Sequence, residues 1–138
     1  MYLLDTNIIS EVRKKGRTNA GVQAFFHQVR EQGQQAFLSA VTIGELRRGI
    51  ELLKHRNDHQ QAGALETWLD GVLDGFRDCI LPFDHDVAQL WGRLRVPNPE
   101  NELDKMIAVT ALIYDLTVVT RNTKHFAGCG TRTLDPFL

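Results

Sequence analysis

An α/β fold with a parallel sheet and helices over both faces is predicted from three observations. Short apolar or β-branched runs alternate along the chain with longer stretches of helical spacing. Strands alternating with helices in this way imply parallel pairing, with the sheet covered on both sides. A chain of 138 residues, 43% apolar and 24% charged, suits one soluble domain over residues 1–138 with a real core. No repeat, low-complexity tract or linker divides it.

Tyr2 to Leu4 reads as a short buried strand, followed by a helix through Ile8, Ile9 and Val12 that stops near Gly16. Thr18 or Asn19 can cap the next helix, in which Val22, Phe25, Phe26 and Val29 recur at helical spacing, and Gly33 ends it. Ala36 to Ser39 is the second strand. Thr42 then opens a helix carrying Leu46, Ile50 and Leu53. From Asn57 to Phe76 one apolar stripe collects Leu65, Trp68, Leu69, Val72, Leu73 and Phe76, and this stripe is read mainly as core. Cys79-Ile80-Leu81 is a strand stopped by Pro82, and Val87, Leu90, Trp91 and Leu94 mark an amphipathic helix. Pro97 and Pro99 force a loop, because proline and the residue before it resist helix. Leu103 to Tyr114 is a helix, Thr117 to Thr120 a β-branched strand, and Thr131 to Leu134 a last one.

Composition narrows the function. No apolar run approaches the roughly 20 residues that cross a bilayer. The apolar start breaks at Asp5, without a secretory leader's basic region or cleavage site. Cys79 and Cys129 form neither a CxxC pair nor a disulfide framework, so a reducing cytoplasm is expected. A net charge of −1 is unlike a protein that coats duplex DNA, although a local basic rim can still attract phosphates.

Three acids stand where an apolar stretch meets the start of a helix: Asp5, Glu45 and Asp104. Ligands of parallel α/β sheets gather beyond the carboxyl ends of the strands. Asp5, Ser39 and Thr120-Arg121-Asn122 all fall at that edge in the expected topology. Each acid also has an ordinary structural role. Asp5 can cap the Ile8-Ile9 helix. Thr42-x-x-Glu45 matches a capping box. Asp104 sits in a first helical turn, where a negative charge is stabilised by about 0.3–1 kcal/mol, with Asn101 available as the cap. Together at one edge, however, three carboxylates repel, and a cation makes the arrangement tolerable. An oxygen-only donor set favours Mg²⁺, or Mn²⁺, over zinc. Such an ion activates water for in-line attack on a phosphate.

Leu4-Asp5-Thr6-Asn7, Thr42-Ile43-Gly44-Glu45-Leu46, Asp104-x-x-Ile107-Ala108 and Thr120-Arg121-Asn122-x-x-x-Phe126 together resemble the four motifs of PIN-domain ribonucleases. The nearest likeness is to VapC/FitB-like toxins of type II toxin–antitoxin pairs, and it runs to Leu134-Asp135-Pro136-Phe137. The resemblance implies a three-layer α/β/α sandwich and a Mg²⁺-dependent endoribonuclease that works as a dimer and is restrained by a cognate, DNA-binding VapB-like antitoxin. It also implies that Asp5, Glu45 and Asp104 bind metal, with Glu45 acting partly through water, and that Thr6 and Asn122 orient acids or water. Asn122 is thereby placed with the three acids in the catalytic set. The competing expectation is a PIN-like RNA- or antitoxin-binding module that has lost catalysis.

One departure motivates that alternative. Many relatives carry a fourth acid where this chain has His125, which leaves open whether one ion or two bind. His125 is expected to be a surface residue beside Phe126, or else to meet substrate phosphate when protonated. Arg13-Lys14-Lys15-Gly16-Arg17 is expected to be a solvated turn, or a grip on RNA phosphates. Thr6, Arg13, Arg47, Arg48 and Arg121 are candidate contacts to RNA or antitoxin. His55 and His59 have chelating i, i+4 spacing but polar neighbours, so a solvated turn is expected. A small phosphatase using Asp5 as nucleophile is disfavoured, because Asp5-Thr6-Asn7 lacks a second aspartate two residues on.

Overall fold

The computed structural model describes residues 1–138. Strands β1 (Tyr2–Leu4), β2 (Ala36–Ser39), β3 (Ile80–Leu81), β4 (Thr117–Val119) and β5 (Thr133–Leu134) form one parallel sheet in the order β3-β2-β1-β4-β5. Six helices surround it: α1 (Thr6–Val12), α2 (Ala20–Glu31), α3 (Ala40–His55), α4 (His59–Gly75), α5 (His85–Leu94) and α6 (Glu102–Tyr114). Short 3₁₀ turns occupy Lys15–Arg17 and Thr123–Phe126.

Strand side chains alternate between faces, and the two halves of the core follow that alternation. Leu3, Val118 and Phe37 pack with Ile107, Ala108 and Ala111 of α6. Leu4, Val119 and Leu38 pack with Ile8 and Ile9 of α1 and with Val22, Phe25 and Val29 of α2. This is the expected three-layer arrangement. Leu3, Leu4, Val118 and Val119 are all 0% exposed, and each such side chain contributes about 1.5–3 kcal/mol through burial. These residues fix the register of β1 against β4. A smaller cluster of Ile50, Ala62 and Leu69 joins α3 to α4.

Two boundaries differ from expectation for identifiable reasons. Helix α3 begins at Ala40 because Ser39, not Thr42, is its cap, accepting the Val41 N–H at 3.0 Å. Helix α4 begins at His59, because Asn57 takes a positive φ of 62° and breaks the chain between α3 and α4. His55 therefore ends one helix and exposed His59 starts the next, so they do not share a helix face. Trp68 and Phe76 flank the α1–α2 side of the core half-buried. Residues 13–17 are exposed, as expected of a solvated turn, and Lys14 pairs with Glu11 at 2.9 Å.

Candidate active site

Pairing of Leu4 with Val119 makes Asp5 and Thr120 the next neighbours beyond the sheet, with the Asp5 N–H donating to the Val119 carbonyl at 2.9 Å. Asp5 is 3% exposed and Thr120 is 0% exposed. The Thr120 hydroxyl donates to Asp5 Oδ2 at 2.7 Å, and Asn7 Nδ2 donates to the same oxygen at 3.2 Å. Asp5 Oδ1 accepts the Thr6 N–H at 2.7 Å. Asp5 is therefore both the cap of α1 and a buried acid at the sheet edge.

Thr6 connects this acid to the second. Its hydroxyl donates to Glu45 Oε1 at 2.9 Å and lies 3.3 Å from the buried Thr42 hydroxyl. The expected capping box is absent, because Thr42 lies inside α3. Asp104 stands in the first turn of α6, where Asn101 holds the cap position with a left-handed φ of 58° and makes no side-chain cap bond. His125 Nδ1 lies 2.8 Å from Asp104 Oδ2. His125 is exposed, as expected of a surface residue, but it is also the hydrogen-bonding partner of Asp104.

The electrostatics agree with this proximity. Burial pushes the Asp5 carboxyl above its ordinary range; the Thr120 and Thr6 bonds oppose the rise, and the charge of Asp104 adds to it. Burial likewise raises Glu45; the Thr6 bond opposes the rise, and Asp5 and Asp104 add to it. Neither Asp5 nor Glu45 forms a salt bridge, and the single ionic partner of Asp104 is His125. No three His, Cys, Asp or Glu side chains close into a metal-coordinating group. Thr6, Thr120 and His125 each hydrogen-bond one of the acids instead.

The donor set still fits a hard divalent cation. Three carboxylates at one edge supply oxygen donors, and Glu45 Oε2 and Asp104 Oδ1 carry no hydrogen bond. Mg²⁺ characteristically keeps several waters, so three direct protein contacts are not required.

Beside Glu45 opens a groove of about 320 Å³ between α1, α3 and α4. Thr6, Arg13 and Glu45 line its polar end, and Leu46, Leu65 and Trp68 its apolar wall. Trp68 thus belongs to a surface groove as well as to the core edge.

The PIN domain family matches residues 2–128. The chain belongs to the PIN-domain family. This PIN domain is 34% identical over 142 residues to Toxin FitB of Neisseria gonorrhoeae, covering 99% of each protein. It is 31% identical over 146 residues to VapC ribonuclease Y4jK of Sinorhizobium fredii, covering 99% of the chain and 98% of that protein. Among solved structures, a chain of the FitAcB crystal structure from Neisseria gonorrhoeae superposes with a TM-score of 0.84 at 33% identity, covering 99% and 98% of the two chains. The expected likeness to FitB- and VapC-type toxins is thereby met.

The PIN domain brings together Asp5, Thr6, Glu45 and Asp104, as the motifs suggest. Asn122 participates differently from expectation: its side chain makes no hydrogen bond, and its backbone N–H donates to Thr120 Oγ1 at 3.0 Å. Arg47 is not free to meet substrate. Glu66 of α4 holds it at 2.8 Å, and that bond raises its already high pKa. Arg48 is exposed and carries no ion pair. Arg121 is exposed; its N–H donates to Asn7 Oδ1 at 3.2 Å, and its guanidinium lies 4.6 Å from the centroid of the Phe137 ring. Thr120 and Asn7 complete the support of Asp5. Both lie inside the quoted motifs, and the register of a strand-end threonine beside Asp5 is the signal that identifies Thr120.

Proposed function

We infer that this PIN domain is the toxin of a type II toxin–antitoxin pair, an endoribonuclease that hydrolyses RNA with the help of a divalent cation, Mg²⁺ by preference and Mn²⁺ as a substitute. One observation carries the reading. The charge of Asp104 reaches both Asp5 and Glu45 at the sheet edge, and no lysine or arginine pairs with any of the three. In a chain with sixteen basic residues, that leaves the compensating charge to a ligand.

Asp5, Asp104 and Glu45 would hold the cation, which supplies charge neutralisation at the phosphate and a more acidic water. The protein's own part is positioning. Thr120 and Asn7 fix Asp5, Thr6 fixes Glu45, and His125 fixes Asp104, so each carboxylate presents a set face before substrate arrives. Glu45 Oε2 is free to take the proton of the attacking water while Oε1 stays bonded to Thr6. Exposed Arg13 and Arg121 flank the site as phosphate contacts. Because His125 engages Asp104, its presence is compatible with an acid site and does not favour the inactive-module alternative.

The groove of Thr6, Arg13, Glu45, Leu46, Leu65 and Trp68 suits a segment of the antitoxin, with apolar side chains on Leu65 and Trp68 and a basic end towards Glu45. A homodimer in the cytoplasm completes the proposal. The deciding experiment incubates a mixed cellular RNA pool with wild type and with Asp5→Asn, with and without Mg²⁺, and maps product ends. The expected result is cleavage by wild type with metal alone. Equal cleavage by folded D5N would overturn the assignment.

A further inference from the structure

His125, the partner of Asp104, also lines a second, smaller cavity of about 200 Å³. Asn98, Glu100, Asn101, Lys105, Lys124 and His125 contribute its polar lining. Lys105 decides its character. It is only 6% exposed although lysine is almost never buried without a charged partner. Its ammonium donates to the Asn98 carbonyl, using one of three N–H groups, and forms no salt bridge with any acid. Burial of an ammonium with one neutral acceptor is costly unless an anion shares the pocket.

Lys124 lines the same cavity from the 3₁₀ turn, is exposed, and is likewise without an ionic partner. The one carboxylate of the lining, Glu100, is exposed and pairs with neither lysine. A volume near 200 Å³ corresponds to about seven waters at roughly 30 Å³ each, which is room for a tetrahedral oxyanion with its hydration. His125 is the shared wall: Nδ1 faces Asp104, while the ring borders the cavity.

We propose that Lys105 and Lys124 form an anion subsite that takes a backbone phosphate of the RNA strand next to the scissile one. This rests on the nuclease reading above and adds a residue pair that the four motifs do not include. His125 joins Asp104 to this cavity, so a strand whose scissile phosphate lies against the acids has an adjoining phosphate within reach of two ammonium groups, whose charge offsets that of Asp104. The subsite thereby fixes the direction in which the strand crosses the acids. It contributes binding and alignment, while proton transfer stays with the acids.

The test measures affinity of the full-length protein for a labelled single-stranded RNA in excess chelator, so that no turnover intervenes, across a salt series. Lys124→Gln changes an exposed side chain and should leave the fold intact. Lys105→Met removes the buried charge, and Lys105→Arg restores it. K124Q and K105M should each weaken binding roughly three- to tenfold at low salt and reduce the slope of log K against log salt by about 0.7, the value for one phosphate on a single strand. K105R should recover the slope. Replacing the subsite phosphate of the RNA by a neutral methylphosphonate should weaken wild type at least as much as either single substitution and weaken the K105M/K124Q double variant no further, because both lysines act on that one phosphate.

Unchanged affinity and slope in folded K124Q and K105M, with a wild type that still cleaves RNA in Mg²⁺, would overturn the subsite and leave the nuclease standing. Loss of affinity for an acidic antitoxin peptide with RNA binding unaltered would overturn it as well, and assign the lysines to the partner. A wild type that neither binds nor cleaves RNA would remove the nuclease reading and the subsite with it.

Discussion

The Thr120 hydroxyl donates to Asp5 Oδ2 at 2.7 Å across a sequence separation of 115 residues, in a position where neither side chain meets bulk water. That hydroxyl also accepts the Asn122 N–H at 3.0 Å and lies 3.3 Å from Asn7 Nδ2. One buried oxygen thus couples the first and last motifs. Thr120→Val keeps the shape and deletes the coupling. Because such supporting bonds are typically worth 10–100-fold in metal affinity or activity, T120V should lose roughly that factor in cleavage rate and in Mn²⁺ affinity. Calorimetric titration with Mn²⁺, beside a cleavage assay, checks both.

Glu45 offers a stability prediction of the less usual sign. Its folded carboxyl is raised, chiefly by burial. A raised group stabilises fully below its unfolded pKa, near 4.5 for glutamate, and that contribution is lost as pH rises through the folded value. Ionised Glu45 therefore costs stability at pH 7 in the metal-free protein. Glu45→Gln keeps an oxygen for the Thr6 hydroxyl and removes the charge, so its melting temperature should exceed wild type by roughly 2 °C at pH 7–8. The gap should close towards pH 4. A metal-free E45Q melting below wild type at pH 8 would contradict this account.

Divalent cation should act in the opposite sense to protons. Asp5 and Glu45 must be ionised to bind metal, and both hold their protons more tightly than free carboxylic acids. Thermal melts with millimolar Mn²⁺ should show a rise in Tm at pH 8 that shrinks steadily as pH falls. Saturation at a hundredfold excess over Kd corresponds to about 2.7 kcal/mol. An equal rise at pH 8 and at pH 4.5 would place the ion away from these acids.

Glu11 behaves conversely. It accepts from Lys14 Nζ at 2.9 Å and from the Asn19 N–H at 2.8 Å, and these bonds hold its carboxyl below the usual glutamate range. A depressed group stabilises above its unfolded pKa, and the contribution is lost as pH falls through the folded value. Glu11→Gln should lower Tm at pH 7 and make little difference near pH 3, with cleavage per folded molecule unchanged. Paired melts at the two pH values decide it.

Much of this was legible in the sequence, and what was not has physical causes. Asp5 stood out because a charge directly after Tyr2-Leu3-Leu4 needs compensation, and β1 and β4 were visible as apolar and β-branched runs. The Thr42 box misled because Ser39 competes for the same helix start, and a cap one turn earlier leaves Thr42 buried beside Thr6. Arg47 looked available because its partner Glu66 lies on another helix, 19 positions away in sequence. The engagement of His125 with Asp104 spans 21 positions and depends on how the 3₁₀ turn packs on α6, which no local pattern encodes. Lys105 gave no signal at all, since a lysine in a helix is ordinarily read as solvated.

The parallel register of β1 on β4 limits how such a chain can vary over evolution. Loops between the motifs can lengthen at modest entropic expense, since doubling a loop costs only about 0.6 kcal/mol. Deletion of a single residue within Thr117–Val119 would rotate the following threonine to the opposite side of the sheet and strand Asp5 without its donor. Insertions and deletions among kindred sequences should therefore cluster in segments such as 13–19 and 95–101, and be absent from the three residues on either side of this seam.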